Sequence, residues 1–205
     1  MQEKPRAFVA GGSGALGRSV CRCLLREGYE VHALATSADH GLDETPGLEG
    51  IAVHIGDFSD EQDAERLFRE AGGPLAALVS TVGGYAGGHV AAIEAAEIER
   101  MTRLNLTTTA LILKCAYPYL ERSPQGAGVV LVASRAAVEG GPGAALYGAT
   151  KAAVINLALS AAKEWRDDGI SVNAILPSTM DTPANRAAMP KADFSSGPRP
   201  RMWRR

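Results

Sequence analysis

The sequence predicts an α/β protein built on a doubly wound parallel sheet, with helices on both faces in three α/β/α layers. Three observations predict it. Short apolar runs alternate with longer segments of helical periodicity along the 205 residues. The runs are rich in Val, Ile, Leu and Ala, which suits strands covered on both faces. A glycine cluster joins the first run to the first helical segment, where a sheet of this kind opens its ligand crevice.

The elements follow in order. "RAFVA" (6–10) reads as the first strand, followed by glycines and a helix over about 15–27. "EVHALA" (30–35) is the second strand, residues 38–50 a polar loop with Gly and Pro, and "IAVHI" (51–55) the third strand. "SDEQDAERLFREAG" (59–72) reads as a helix, with Ser59 as N-cap and Gln62 at N3 in a capping box. "LAALVS" (75–80) is the fourth strand, and 90–121 holds two helices or one kinked helix. "AGVVLVAS" (127–134) is the fifth strand, 147–168 a long helix ended by Gly169, and "ISVNAIL" (170–176) the sixth strand, closed by Pro177. Right-handed crossovers then give one Rossmann-like sheet. No repeat or linker interrupts it, so residues 1–198 are expected to form one domain, with 199–205 an irregular basic tail.

Composition narrows the function. Hydrophobic residues make up 46% and charged residues 21%, which is neither a disordered nor a membrane composition. No stretch reads as the ~20 apolar residues of a membrane span. The net charge of −2 argues against nucleic acid or anionic lipid as partner. Four arginines (Arg199, Arg201, Arg204, Arg205) fall in the tail, so the body is more acidic still. The three cysteines are odd in number, and Cys21 and Cys23 have C-x-C rather than C-x-x-C spacing. They are expected to be reduced side chains of a cytoplasmic protein, and the scattered histidines (His32, His40, His54, His89) give no metal site.

"AGGSGALG" (10–17) has the residues of a phosphate-binding loop: Gly11, Ser13, Gly14, Ala15, Leu16 and Gly17. Gly12, Gly14 and Gly17 fit G-x-G-x-x-G, and Gly11, Ala15 and Gly17 fit G-x-x-x-A-x-G. Glycines let the backbone approach a pyrophosphate, whose charge meets the helix N-terminus. Alone the loop is a weak signal and also reads as a plain turn. Asp57 and Phe58 follow the third strand, where a carboxylate can accept from an adenine amino group or simply cap a turn. Gly83, in "STVGG" (80–84), leaves room for a nucleotide along the fourth strand's end. The second strand ends in Ala35, Thr36 and Ser37 without a carboxylate. A 2′-phosphate meets no repulsion there, which favours NADP(H) and leaves NAD(H) as the alternative. Arg18 and His40 are candidate supports, though each reads more readily as a solvated residue.

"ALYGATKAAV" (145–154) places Tyr147 four residues before Lys151, on one helix face. An ammonium beside a phenol is expected to lower the phenol's pKa, so that it can exchange a proton near neutral pH. An isolated Y-x-x-x-K is more often a solvated pair. Ser134, ending the fifth strand, supplies a hydroxyl at the ligand-binding end of the sheet. Asn105 reads on its own as an ordinary helix residue.

The ordered set "AGGSGALG", Asp57, Asn105, Ser134, "YGATK" and "VNAILPSTMDTP" resembles the short-chain dehydrogenase/reductase family over residues 6–196. The resemblance implies an NAD(P)-dependent oxidoreductase acting on a carbonyl/alcohol pair of a small-molecule substrate. Tyr147 would be the acid/base, Lys151 would lower its pKa and hold the nicotinamide ribose, and Ser134 would polarise the reacting oxygen. Asn105 would hold a water linking Lys151 to solvent, and Pro177 and Thr182 would stand at the nicotinamide. It also implies a homodimer or homotetramer, formed through the helices at 90–121 and 147–168. Within the family, "VGGYAGG" (82–88) and "DTPANRAAMPKADFSS" (181–196) look like the loops of dihydropteridine reductases, which makes quinonoid pterin reduction an alternative activity. Similar proteins often run on with Pro-Glu-Asp-Val-Ala-Ala. Codons for that peptide, read one base out of frame, give "PRMWRR", so the tail is expected to be a frameshift product. A shortened chain would lack a sheet edge and part of the substrate wall, and the second function class is then a nucleotide-binding member without turnover.

Overall fold

A computed structural model describes residues 4–37, 41–42 and 44–188. The basic tail, His40 and residues 189–196 of the pterin-like loop lie outside the described residues. Six strands form one parallel sheet: β1 (Arg6–Ala10), β2 (Glu30–Ala35), β3 (Ala52–Ile55), β4 (Ala77–Ser80), β5 (Ala127–Val132) and β6 (Ile170–Ile175), in the order β3-β2-β1-β4-β5-β6. The order reverses between β1 and β4, so the strands' carboxyl ends part there and open a crevice. In register, Ala10 lies beside Ser80 and Val132 beside Ile175.

Helices cover the two faces unequally. On one face α1 (Ala15–Arg26) closes a cluster of Val9, Cys21, Val31, Ala33, Leu42 and Leu48. On the other, α2 (Glu61–Ala71), α4 (Thr108–Leu120) and α6 (Ala145–Glu164) cover the larger core, where Phe8 stacks on Phe68 at 4.7 Å. The largest buried side chains, each worth about 1.5–3 kcal/mol of transfer energy, come from strand and helix faces alike. β6 is covered on one face only among the described residues: Ile170 and Val172 are buried, while Ser171, Asn173 and Ile175 are exposed. The expectation of strands buried on both faces therefore fails at β6.

Several sequence expectations are corrected locally. The N-cap of α2 is Asp60, not Ser59: Asp60 Oδ1 accepts from Asp63 N at 2.9 Å, whereas Ser59 Oγ donates to Asp57 Oδ2 at 2.8 Å. The nearer carboxylate takes the capping position that the S-x-x-Q pattern suggested. The stretch 90–121 is a short 3₁₀ turn (Val90–Ala92), α3 (Ala95–Met101), a π-helical segment (Thr102–Thr107) and α4. The polar run Thr107, Thr108, Thr109 accompanies the widening: Thr109 Oγ1 donates to Asn105 O at 2.7 Å and Thr108 Oγ1 to Arg103 O at 3.0 Å. Two short helices, α5 (Ala136–Glu139) and α7 (Pro183–Ala188), carried no periodicity long enough to be read. By length and composition α6 is apolar enough to cross a membrane, contrary to the sequence reading. Its Ala-rich composition reflects close packing on β5, β6, α5 and the π segment.

At the sheet edge His32 and His54 form a hydrogen-bonded pair, Nδ1 to Nε2 at 2.9 Å, with Glu30 on His32 at 3.2 Å and Glu70 on His54 at 3.6 Å. Burial lowers both imidazole pKa values, against the opposing pull of these carboxylates. A group whose folded pKa is depressed in this way binds its proton more readily unfolded. Stability is therefore expected to fall as pH drops below about 6.5, by at most about 3 kcal/mol per pH unit for two groups. Urea titrations of the native chain and a His32→Leu/His54→Leu variant from neutral to mildly acid pH check this; the variant should lose the steepest part of the slope.

Candidate active site

The crevice at the strands' carboxyl ends is a cleft of about 480 Å³. It is lined by Gly11, Ser13 and Gly14 from the β1–α1 loop, by Leu34 and Thr36 at the end of β2, and by Asp57, Phe58 and Ser59 after β3. Thr81, Val82 and Gly83 follow from β4, and Arg100, Arg103, Leu104 and Thr108 from the segment before and within α4. The sequence pointed to Gly11, Ser13, Gly14, Thr36, Asp57, Phe58 and Gly83. It missed the residues from α3, the π segment and α4, which carry no motif of their own.

The loop is shaped for an anion. Gly14 is the N-cap of α1 without a side-chain cap, and no acidic residue stands in the first turn, so the helix N–H groups and dipole are free of competing charge. Gly11 has φ +81°, and a Cβ there would lie 2.6 Å from Thr81 Oγ1. Gly17 does not line the cleft: a Cβ on it would meet Gly11 O at 2.0 Å, so it packs helix against loop. Ala15 and Leu16 open α1 behind the loop, and Ser37 lies exposed beyond Thr36. Arg18 is not a free support. Its Nε donates to Ser13 O at 2.9 Å and its Nη1 to Gly41 O at 2.7 Å, with Thr45 a further partner, so it fastens the loops instead. Asp57 is an exposed turn residue whose two carboxylate oxygens already accept from Ser59 N and Oγ, each at 2.8 Å.

The second half of the site lies behind Gly83. Asn105 is fully buried; its Oδ1 accepts from Gly84 N at 2.9 Å, and its Nδ2 donates to Gly84 O at 3.1 Å and Thr150 Oγ1 at 3.0 Å. The amide thus fastens the β4 loop to α6, and the side chain expected to hold a water is committed to backbone and Thr150. Lys151 is buried and donates to Val132 O at 2.8 Å. A Cβ on Gly83 would lie 2.6 Å from Asn105 Oδ1 and 2.7 Å from Lys151 Nζ, at φ +149°. Gly83→Ala is therefore expected to cost about 1–3 kcal/mol and to displace Lys151; thermal melting with a nucleotide titration checks both.

Tyr147 stands in the first turn of α6, and the next residue, Gly148, lets α5 press close: a Cβ there would meet Ala136 O at 2.7 Å. This brings Ser134 to Tyr147, and the hydrogen bond between them favours the phenolate. Burial outweighs it, and Tyr85, edge-on at 5.1 Å between ring centroids, adds to the rise, so the Tyr147 pKa lies above 10.0. The expectation that Lys151 acidifies this phenol is corrected: its ammonium donates to the Val132 carbonyl, and burial leaves the phenol's pKa raised rather than lowered. Burial lowers the pKa of Lys151 itself to about 8. Pro177 and Thr182 do not line the cleft. Pro177 O accepts from Arg135 N at 3.1 Å, and Thr182 Oγ1 accepts from Asn185 N at 3.1 Å at the start of α7.

The chain matches the family model described as short chain dehydrogenase over residues 5–193. It is 31% identical to a tropinone reductase homologue of Arabidopsis thaliana over 202 residues, covering 91% of this chain and 75% of that protein. It is also 31% identical to an uncharacterised NAD-dependent oxidoreductase of Mycobacterium tuberculosis over 198 residues, covering 86% of this chain and 72% of the other. Among solved structures, ElxO with NADP bound shares the fold at a TM-score of 0.85 and 24% identity, covering 94% of this chain and 81% of that one.

Proposed function

We propose that this chain, which belongs to the short-chain dehydrogenase family, is an NAD(P)-dependent oxidoreductase in which Tyr147 moves the proton of a carbonyl/alcohol interconversion. The observations that carry the reading are the meeting of Tyr147 with Ser134 and the place of Lys151 directly behind Gly83, which lines a cleft of about 480 Å³. The residues present fit such a cofactor: an uncapped helix N-terminus and positive-φ glycine for the diphosphate, and no carboxylate at 35–37. A nicotinamide dinucleotide, when bound, supplies the hydride chemistry.

The chain's own groups do the rest. Ser134 Oγ offers a hydrogen bond to a substrate oxygen, and Tyr147 gives that oxygen its proton. With its pKa raised, Tyr147 is a phenol at neutral pH, the form consumed when a carbonyl is reduced. Lys151 places a cation behind Gly83, within the wall that faces the cofactor. Thr36 and Ser37, two hydroxyls with no acid between them, support a preference for NADP(H). Self-association through α4 and α6 is supported by Leu159, 57% exposed on α6, and is measured by sedimentation.

Nicotinamide fluorescence on titration with NADPH and NADH, followed by turnover of a carbonyl panel that includes a quinonoid dihydropterin, tests the reading. Saturable binding with carbonyl-dependent oxidation of the nucleotide is expected. Binding with no turnover across the panel would identify a nucleotide-binding member without catalysis instead.

A further inference from the structure

We infer that Arg103 reads the adenine end of the dinucleotide, its guanidinium lying against the purine; the inference rests on the dinucleotide reading of the cleft. Two arginines line this cleft, and their surroundings differ. Arg100 is spent on Glu97, to which its Nε and Nη2 donate at 2.9 and 2.8 Å. Arg103 uses only Nε, which donates to Ser59 Oγ at 2.9 Å. Its two terminal nitrogens have no partner among the described residues. Ser59 in turn donates from both N and Oγ to Asp57. Asp57 N donates to Asp63 Oδ2 at 2.7 Å. One hydrogen-bonded relay therefore runs from α2 through the β3–α2 turn to the guanidinium. It tethers Arg103 to the rim through Nε and leaves its remaining donors open to the cleft or solvent.

Position selects the part of the ligand. The diphosphate belongs at the β1–α1 loop, where the α1 N-terminus is uncapped. A 2′-phosphate belongs at the end of β2, beside Thr36. Arg103 is tied to the turn after β3, one strand further out in the sheet order. What a dinucleotide extends beyond its adenosine ribose is a flat, electron-rich purine with ring-nitrogen acceptors. A planar guanidinium stacks on such a face and donates to its edge, which an ammonium does less well. Asp57 is the acceptor that the sequence offers the adenine amino group, and it has no donor for the ring nitrogens, which Arg103 supplies.

Arg103→Leu and Arg103→Lys, made in the full chain, test this. Binding is measured for ADP-ribose by calorimetry, and for NADH, NADPH and reduced nicotinamide mononucleotide by fluorescence, with melting curves in parallel. The expected result is a loss of about tenfold for ADP-ribose, NADH and NADPH alike in Arg103→Leu. The mononucleotide and the melting temperature should be unchanged, and Arg103→Lys should recover only part of the affinity. Unchanged ADP-ribose binding overturns the inference. So does a loss confined to NADPH, which puts the guanidinium on the 2′-phosphate, or a loss shared by the mononucleotide. Full recovery in Arg103→Lys overturns the stacking contact. A native chain that binds none of the four ligands defeats the dinucleotide reading itself, and the inference with it.

Discussion

Lys151→Met is expected to make the protein more stable and less active at once. Lys151 is 4% exposed, and its pKa in the fold, about 8, lies well below the ordinary 10.5. Between those values the unfolded chain holds a proton that the fold sheds, so native stability rises with pH across that window. Below about pH 8 the cost is present in full, about 3 kcal/mol for the shift. Met keeps the length and apolar stem without the charge. It also leaves Val132 O without its Nζ donor, which returns about 1–2 kcal/mol. The net gain at neutral pH is about 1–2 kcal/mol, or a few degrees in melting temperature. It should shrink through zero between about pH 9 and 10 and then reverse, until above 10.5 only the lost hydrogen bond remains. Activity should fall at least about 100-fold, because the cation behind Gly83 is gone. Denaturant titrations across that pH range and steady-state rates read the two effects separately. A variant less stable than the native chain at neutral pH would show that the ammonium is not a buried liability.

Tyr147→Phe is expected to leave the fold and nucleotide affinity near native and to reduce kcat by about 10²–10⁴. Phe fills the same space, keeps the edge-on contact with Tyr85, and removes only the hydroxyl that Ser134 meets. The partner left behind is a single serine hydroxyl, which also bonds Ala136 N at 3.2 Å, so the stability cost is about 1 kcal/mol or less. Nucleotide titration and kcat measured on the same preparation separate a missing acid from a damaged site. A large loss of affinity would mean that the phenol positions the cofactor rather than the proton.

The sheet was legible in the sequence because its strands are short apolar runs with glycine or proline at their ends. β1 and β2 match their expected bounds residue for residue, and the other four are trimmed by one or two positions. Helices with long apolar periodicity, α1, α2, α4 and α6, were legible for the same reason. The π-helical segment was not, since Thr102–Thr107 differs from an α-helix only in where its carbonyls are bonded. The small helices α5 and α7 hold four and six residues, less than two turns of pattern.

At the site, residue types pointed to Tyr147, Ser134, Lys151, Asn105 and the glycines, but not to what each one touches. The family resemblance implies a water on Asn105, whose amide instead fastens Gly84 to Thr150. The i,i+4 spacing places Tyr147 and Lys151 on one face and so predicts an acidified phenol. Spacing does not record burial or a competing carbonyl, and those two decide the charge balance here. Nothing in "MTRLN" sets Arg103 apart from a solvated helix arginine; only the turn after β3 shows what holds it.

The central claim is that the reaction's proton passes through Tyr147. The most direct test is the pH dependence of kcat/KM for nucleotide-driven carbonyl reduction, in the native enzyme and in Tyr147→Phe. In the native enzyme the rate is expected to fall twice as pH rises, first near 8 as Lys151 loses its charge and again at higher pH as the Tyr147 phenol ionises, since reduction consumes the phenol; the variant's low residual rate should keep only the first fall. The higher-pH fall persisting in the Phe variant would contradict the claim.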